Sequence, residues 1–111
     1  MINNKVVIIN GAGKGIGYKV VEDLLNLNNF VFALSLSKSE KIEQLLAANP
    51  QYSKNLYTYN FDITNESRTK EVIKEIWNKF KRIDIIINCA GSPYGSFFPM
   101  TPISDLKKIF V

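Results

Sequence analysis

Residues 8–17 read IINGAGKGIG, with Gly11, Gly13, Gly15 and Gly17 packed into seven positions directly after an apolar run. Glycine gives up the most conformational entropy on folding, so this density marks backbone that must take positive φ or approach another group closely. Upstream, Lys5–Asn10 (KVVIIN) is β-branched and continuously apolar, the pattern of a strand covered on both faces. Downstream, Ile16, Val20, Val21, Leu24 and Leu25 recur at helical spacing. A loop between that strand and that helix leaves unpaired amides at the helix's positive end, which favours an anion, usually a phosphate. A nucleoside-triphosphate loop needs Ser or Thr after its lysine, but Lys14 is followed by Gly15. The spacing G-x-G-x-x-G fails as well, because position 16 is isoleucine. G-x-x-x-G-x-G fits, on Gly11, Gly15 and Gly17. In a dinucleotide loop the first glycine turns the chain off the strand. The second removes a Cβ where backbone meets pyrophosphate, and the third lets the helix pack close to the sheet.

The same alternation continues along the chain. Asn28-Asn29 stops the first helix, and Phe30–Leu36 (FVFALSL) reads as a second buried strand. Ser37 and Glu40 form an S-x-x-E capping box ahead of a helix whose face is Ile42, Leu45 and Leu46. Asn49-Pro50 ends that helix. Leu56–Phe61 is a third strand, aromatic and β-branched. Thr64 or Asn65 caps a third helix with Val72, Ile73, Ile76, Trp77 and Phe80 on one face, an aromatic stripe read as core packing. Ile83–Asn88 (IDIIIN) is the fourth strand, SPYGSFFPMTP is a loop, and Ser104–Val111 begins another helix. Strands alternating with helices imply right-handed crossovers and a parallel sheet covered on both faces. Receiver-type and flavodoxin-like folds share this alternation but do not explain the glycine loop.

With 111 residues, 46% hydrophobic and 22% charged, the chain has the make-up of one soluble globular domain or a piece of one, here taken as residues 1–111. The net charge of +4 is scattered over polar helix faces without a run of like charges, so nucleic acid is not an expected partner. The single cysteine, Cys89, excludes an internal disulfide and fits a reducing compartment. With no histidine anywhere to depress its pKa, it reads as a small packed residue. No leader opens the chain and no apolar run is long enough to cross a bilayer, so no membrane association is expected and cytoplasm is the expected location.

Three separated stretches carry a resemblance to the short-chain dehydrogenase/reductase family. NGAGKGIG at 10–17 is similar to its T-G-x-x-x-G-I-G loop, with Asn10 in the Thr position. FDIT at 61–64 is similar to the acidic-aliphatic pair after its third strand. NCAG at 88–91 is similar to its N-N-A-G, with Cys89 replacing the second Asn. The resemblance covers the whole chain in order. It implies a Rossmann-type, doubly wound α/β fold with a three-layer α/β/α sheet in strand order 3-2-1-4, incomplete at its carboxyl end. By position it places Gly11, Gly15 and Ile16 at the pyrophosphate, with Gly17 in the same cofactor-binding loop, and Asp62 at the adenine amino group with Ile63 beside the ring. It sets Asn88, Ala90 and Gly91 along the adenosine-side ribose. For Asp62, a plain cap of the following helix is the competing reading.

The resemblance further implies an NAD(P)(H)-dependent oxidoreductase that reduces a carbonyl or oxidises an alcohol, a small-molecule substrate, and assembly as a homo-oligomer, a dimer or tetramer, when full length. NADP is favoured over NAD. An enzyme for NAD usually carries Asp or Glu at the end of the second strand, whereas this chain reads Ser35-Leu36-Ser37-Lys38. The hydroxyls of Ser35 and Ser37, with Lys38 and with Lys14 before the second motif glycine, are suited to a 2′-phosphate. The family's acid/base signature, Tyr-x-x-x-Lys, is absent from residues 1–111. Tyr18, Tyr52, Tyr57, Tyr59 and Tyr94 are followed four positions on by Glu22, Leu56, Phe61, Ile63 and Phe98. No residue is therefore assigned as catalytic, and no metal is expected. The chain reads as the amino-terminal half of a longer reductase. Its alternatives are a degenerate reading frame and a non-catalytic nucleotide-binding module that pairs with another chain. Tyr94, Phe97 and Phe98 are as well explained by loop packing as by an apolar substrate.

Overall fold

In the computed structural model, which describes residues 3–89, β1 (Val6–Asn10) runs into the glycine loop and α1 (Gly15–Asn26). β2 (Phe30–Ser35), α2 (Glu40–Ala48), β3 (Leu56–Asn60), α3 (Glu66–Phe80) and β4 (Ile85–Asn88) follow. The four strands are parallel in the order β3-β2-β1-β4. β1 is central, with Val7 opposite Val31 on one side and Ile85 on the other. The continuous apolar runs are explained by the pleat, which turns successive side chains to opposite faces. Val7, Ile9, Val31 and Ala33 pack under α1 and α2 with Val21, Leu24, Leu25, Ile42 and Leu45. Val6, Ile8, Phe32 and Leu34 pack under α3 with Val72, Ile73 and Ile76. Trp77 and Phe80 are partly buried against this second cluster, as an aromatic core stripe requires.

Local chemistry sets the ends of the helices. α1 stops in a Schellman turn: the Asn28 amide donates to the Leu25 carbonyl and the Asn29 amide to Leu24, with Asn28 at φ 63. Asn29 is fully buried. Its Oδ1 accepts from the Lys5 amide at 3.1 Å and its Nδ2 donates to the Leu24 carbonyl at 3.0 Å, so the end of α1 is joined to the start of the sheet. At α3 the cap is Asn65, whose Oδ1 accepts from the Arg68 amide at 3.1 Å.

Besides one-residue shifts at the start of β1 and the end of β3, five details differ from the sequence reading. The capping box on Ser37 and Glu40 does not form; Ser39 is the N-cap of α2 and its hydroxyl accepts from the Ile42 amide at 3.3 Å. The sequence Ser-Lys-Ser-Glu offers two serines, and the one next to the first helical residue has the shorter reach. β2 ends at Ser35, leaving Leu36 73% exposed beyond the sheet. β4 begins at Ile85, because Asp84 spends its carboxylate on the β1 backbone, although Ile83 is buried beneath α3's face. Ile16 is 79% exposed and does not belong to the α1 core face. Asn49-Pro50 ends α2 as expected, yet Pro50–Lys54 continues as a 3-10 turn, with proline's fixed φ at its first position. The loop and helix expected over 92–111 lie outside the described residues.

Candidate functional site

In a parallel sheet all strands point the same way, so the residues after β1, β2, β3 and β4 gather at one edge. The strand order reverses beside β1, where β2 lies on one side and β4 on the other. Open α/β sheets hold ligands in the crevice outside the carboxyl ends at such a switch point. Gly11, Lys14, Gly15, Ile16 and Gly17 come together there, with Ser35 from β2, Asp62 and Ile63 from the turn after β3, and Asn88 from β4. Ala90 and Gly91 lie outside the described residues.

The glycines have distinct local reasons. Gly11 has φ 78, and its amide donates to the Leu34 carbonyl at 2.9 Å. Gly15 has φ 59, and a Cβ built on it would meet nothing within 4 Å, so its open side faces space. A Cβ on Gly17 would lie 2.0 Å from the Gly11 carbonyl oxygen, so only glycine lets α1 cross the end of β1 there. A Cβ on Gly13 would touch Ser39 Cβ at 3.4 Å and Ser35 Cβ at 3.5 Å. α1 opens on extended Lys14 with no side chain accepting from its first amides and no acidic residue in its first turn. Uncapped amides, the positive end of the helix dipole and a Cβ-free cradle fit a phosphate group.

The other groups are more constrained. Ser35 Oγ donates to the Ser37 carbonyl at 2.9 Å and accepts from Asn60 Nδ2 at 2.9 Å, so this hydroxyl is already partnered. Lys38 pairs with Glu43 at 2.8 Å on the exposed surface, and the Glu43 carboxylate raises its pKa, through the hydrogen bond first and its charge second. Lys14 is exposed. Asp62 is exposed and its Oδ1 accepts from both the Thr64 amide (2.9 Å) and the Thr64 hydroxyl (2.7 Å). Those bonds, hydroxyl first, hold the carboxyl below its usual range. Asp62 therefore shapes the turn before α3 and leaves the cap to Asn65, so the competing reading of Asp62 as the helix cap does not hold. Ile63 packs partly buried on the α3 cluster, and its carbonyl accepts from Thr69 Oγ1 at 3.1 Å. Asn88 Oδ1 accepts from Asn10 Nδ2 at 3.0 Å, and the Cys89 amide donates to the Asn10 carbonyl at 2.8 Å. These two bonds close the gap between β1 and β4 at the crevice. Cys89 is a free thiol packed against the α1 cluster, in line with its reading as a packing residue.

Among the described residues, Tyr18 and Tyr59 are shifted away from proton transfer near neutrality. Burial, then Glu22, raises Tyr18; burial, then Glu75, raises Tyr59. A tyrosine acting as acid/base needs the opposite shift. Sequence reasoning missed Ser39, which donates to the Gly13 carbonyl, and Asn60, whose amide also donates to the Ser37 carbonyl at 3.1 Å. It noted Asn10 only as a replacement for threonine. All three are polar residues at the carboxyl ends of strands or just before a helix, and that position was the available signal.

A family model described as short chain dehydrogenase matches residues 5–110. The chain is similar to an uncharacterized oxidoreductase of Bacillus subtilis (strain 168), YusZ, with 32% identity over 111 residues, covering 98% of this chain and 39% of that protein. Among solved structures it is similar to Cj0485 dehydrogenase, with a TM-score of 0.72 and 27% identity over 98% of this chain and 41% of that one. It is also similar to a variant of ElxO solved with NADPH bound, with a TM-score of 0.68 and 31% identity over 96% of this chain and 43% of that one. The chain thus spans about two fifths of the length of each. No helix among the described residues is long and apolar enough to cross a membrane, and none of them form a cluster able to hold a metal ion.

Proposed function

The chain belongs to the short-chain dehydrogenases, and on that premise we propose that it is the cofactor-binding amino-terminal part of an NADP(H)-dependent oxidoreductase acting on a small carbonyl or alcohol. The observation that carries the reading is Gly15. Its positive φ and open side stand at the uncapped start of α1, where a pyrophosphate has both amide donors and room. Gly11, Gly15, Ile16 and Gly17 hold that pyrophosphate, Asp62 and Ile63 receive the adenine, and Asn88 with Ala90 and Gly91 borders the ribose. Bound there, the nicotinamide cofactor supplies or accepts a hydride.

NADP is preferred over NAD in this reading. No carboxylate stands at the end of β2 to repel a 2′-phosphate, and Lys14 is exposed beside the loop. Lys14 is the principal contact, since Ser35 is engaged within the chain and Lys38 must leave Glu43 to take part. The whole enzyme acts in the cytoplasm as a homo-oligomer. Residues 1–111 bind cofactor without turnover, because they carry no Tyr-x-x-x-Lys.

Titration of the purified chain with NADPH and NADH, read by nicotinamide fluorescence, tests the binding reading. Saturable binding with NADPH the tighter is expected; no binding of either removes the proposal. Translation beyond codon 111 tests the enzyme reading: asparagine, then serine, then Tyr-x-x-x-Lys is expected. A continuation lacking that tyrosine favours the second reading, a nucleotide-binding module without chemistry, which the missing acid/base pair already motivates.

A further inference from the structure

Ser39 stands at the start of α2, twenty-six positions from the glycine loop, yet its hydroxyl makes two bonds in two directions. It accepts from the Ile42 amide at 3.3 Å, capping α2, and it donates to the Gly13 carbonyl. A Cβ at position 13 would stand in ordinary van der Waals contact with Ser39 Cβ at 3.4 Å and Ser35 Cβ at 3.5 Å, so Ser39 packs directly against the loop. The carbonyl of residue 13 and the amide of residue 14 belong to one planar trans peptide, so they point in opposite directions. Fixing the Gly13 carbonyl toward α2 therefore turns the Lys14 amide away from α2. That amide donates to no group among the described residues, whereas the Gly11 and Ala12 amides are both taken by the Leu34 carbonyl.

We infer that Ser39 is a positioning residue for the cofactor's pyrophosphate, holding the Gly13–Lys14 peptide so that the Lys14 amide is presented as a phosphate donor. The inference rests on the dinucleotide-binding reading of the loop. Without the Ser39 hydrogen, the Gly13–Lys14 peptide is free to rotate about its flanking bonds, and glycine at 13 offers the least resistance to that rotation. The donor would then have to be ordered at the moment of binding, which lowers affinity.

Two substitutions separate the two bonds of Ser39. Ser39→Ala removes both cap and donor; Ser39→Gly removes the donor, while glycine is an acceptable N-cap residue. NADPH affinity is expected to fall about fivefold to tenfold in both, the loss of roughly one hydrogen bond. The thermal midpoint is expected to fall clearly in Ser39→Ala and only slightly in Ser39→Gly. Ser39→Thr, which keeps the hydroxyl, is expected to bind within about twofold of the parent, on the order of 0.4 kcal/mol. Adenosine 2′-phosphate, which has no pyrophosphate, is expected to bind the parent and both donor-less variants alike. A parent chain that binds NADPH together with Ser39→Gly and Ser39→Ala variants that bind it equally well overturns the inference and leaves the cofactor reading standing. Affinity that tracks the thermal midpoint, or an equal loss for adenosine 2′-phosphate, overturns it as well. A parent chain that binds neither NADPH nor NADH removes the reading beneath it.

Discussion

Gly15 and Gly17 are two positions apart and are glycine for different reasons, so alanine should separate them. At Gly17 an added Cβ would sit 2.0 Å from the Gly11 carbonyl oxygen, both of them backbone. Gly17→Ala is expected to push α1 off the end of β1, at about 1–3 kcal/mol or more of stability, and to abolish NADPH binding. At Gly15 the space is open and the obstacle is φ 59, which disfavours an L-residue by about 1–2 kcal/mol. Gly15→Ala should fold with that loss and bind weakly, because the new methyl stands where the phosphate belongs. Urea denaturation paired with NADPH titration checks both; equal behaviour of the two variants would contradict the geometry. The spacing alone announced that these glycines matter. It already assigned the third to close packing of helix on sheet; the structure adds that the contact is with the Gly11 carbonyl oxygen and that the second glycine takes a positive φ as well as leaving open space. Serine was harder to read: Ser35, Ser37 and Ser39 look interchangeable in sequence, and only the direction of each hydroxyl distinguishes them.

At the scale of the element, the ends carry the surprises and the middles do not. The apolar periods placed the four strands and three α-helices of residues 3–89, because each has to bury a face, but not the 3-10 turn Pro50–Lys54, which has no buried residue. The ends depend on single polar groups, whose choices sequence leaves open. Lys81 closes α3 at φ 58, a conformation that glycine adopts without strain. Lys81→Gly is expected to raise stability by about 1 kcal/mol, seen as a higher denaturation midpoint. Asp84 illustrates a second kind of end. Burial alone would raise its carboxyl pKa, but the Val6 amide at 2.8 Å and then the Arg82 guanidinium at 2.8 Å bring it below the usual carboxylate range. A carboxyl whose pKa is lower in the folded state stabilises fully above its unfolded value of about 3.9. That contribution is lost as pH falls through the folded value. Midpoints measured between pH 7 and pH 3 should therefore fall less steeply for Asp84→Asn than for the parent, and parallel curves would remove Asp84 from the acid limb.

On the scale of the whole molecule, Phe32 gathers the α3 side of the sheet. It is fully buried, stacked on Tyr57 at 4.7 Å and edge-on to Phe80 at 5.8 Å. Phe32→Ala is expected to destabilise by about 3–5 kcal/mol, which calorimetry or denaturant melts would detect. The layered fold and the phosphate loop were legible in sequence, since both rest on periodicity and spacing. The carboxyl-edge network of Asn10, Asn60 and Ser39 was not, because it is tied together by bonds between residues 25, 26 and 78 positions apart. β4 reaches its partner strand only across that longest separation, through Asp84 on Val6 and Asn88 on Asn10. Closing so long a loop is entropically slow, so β1, α1 and β2 are expected to assemble before β4 docks. The cleft for the nucleotide thus comes into being at the last act of self-assembly. Ligand added to a refolding chain should brake unfolding while leaving the refolding rate untouched.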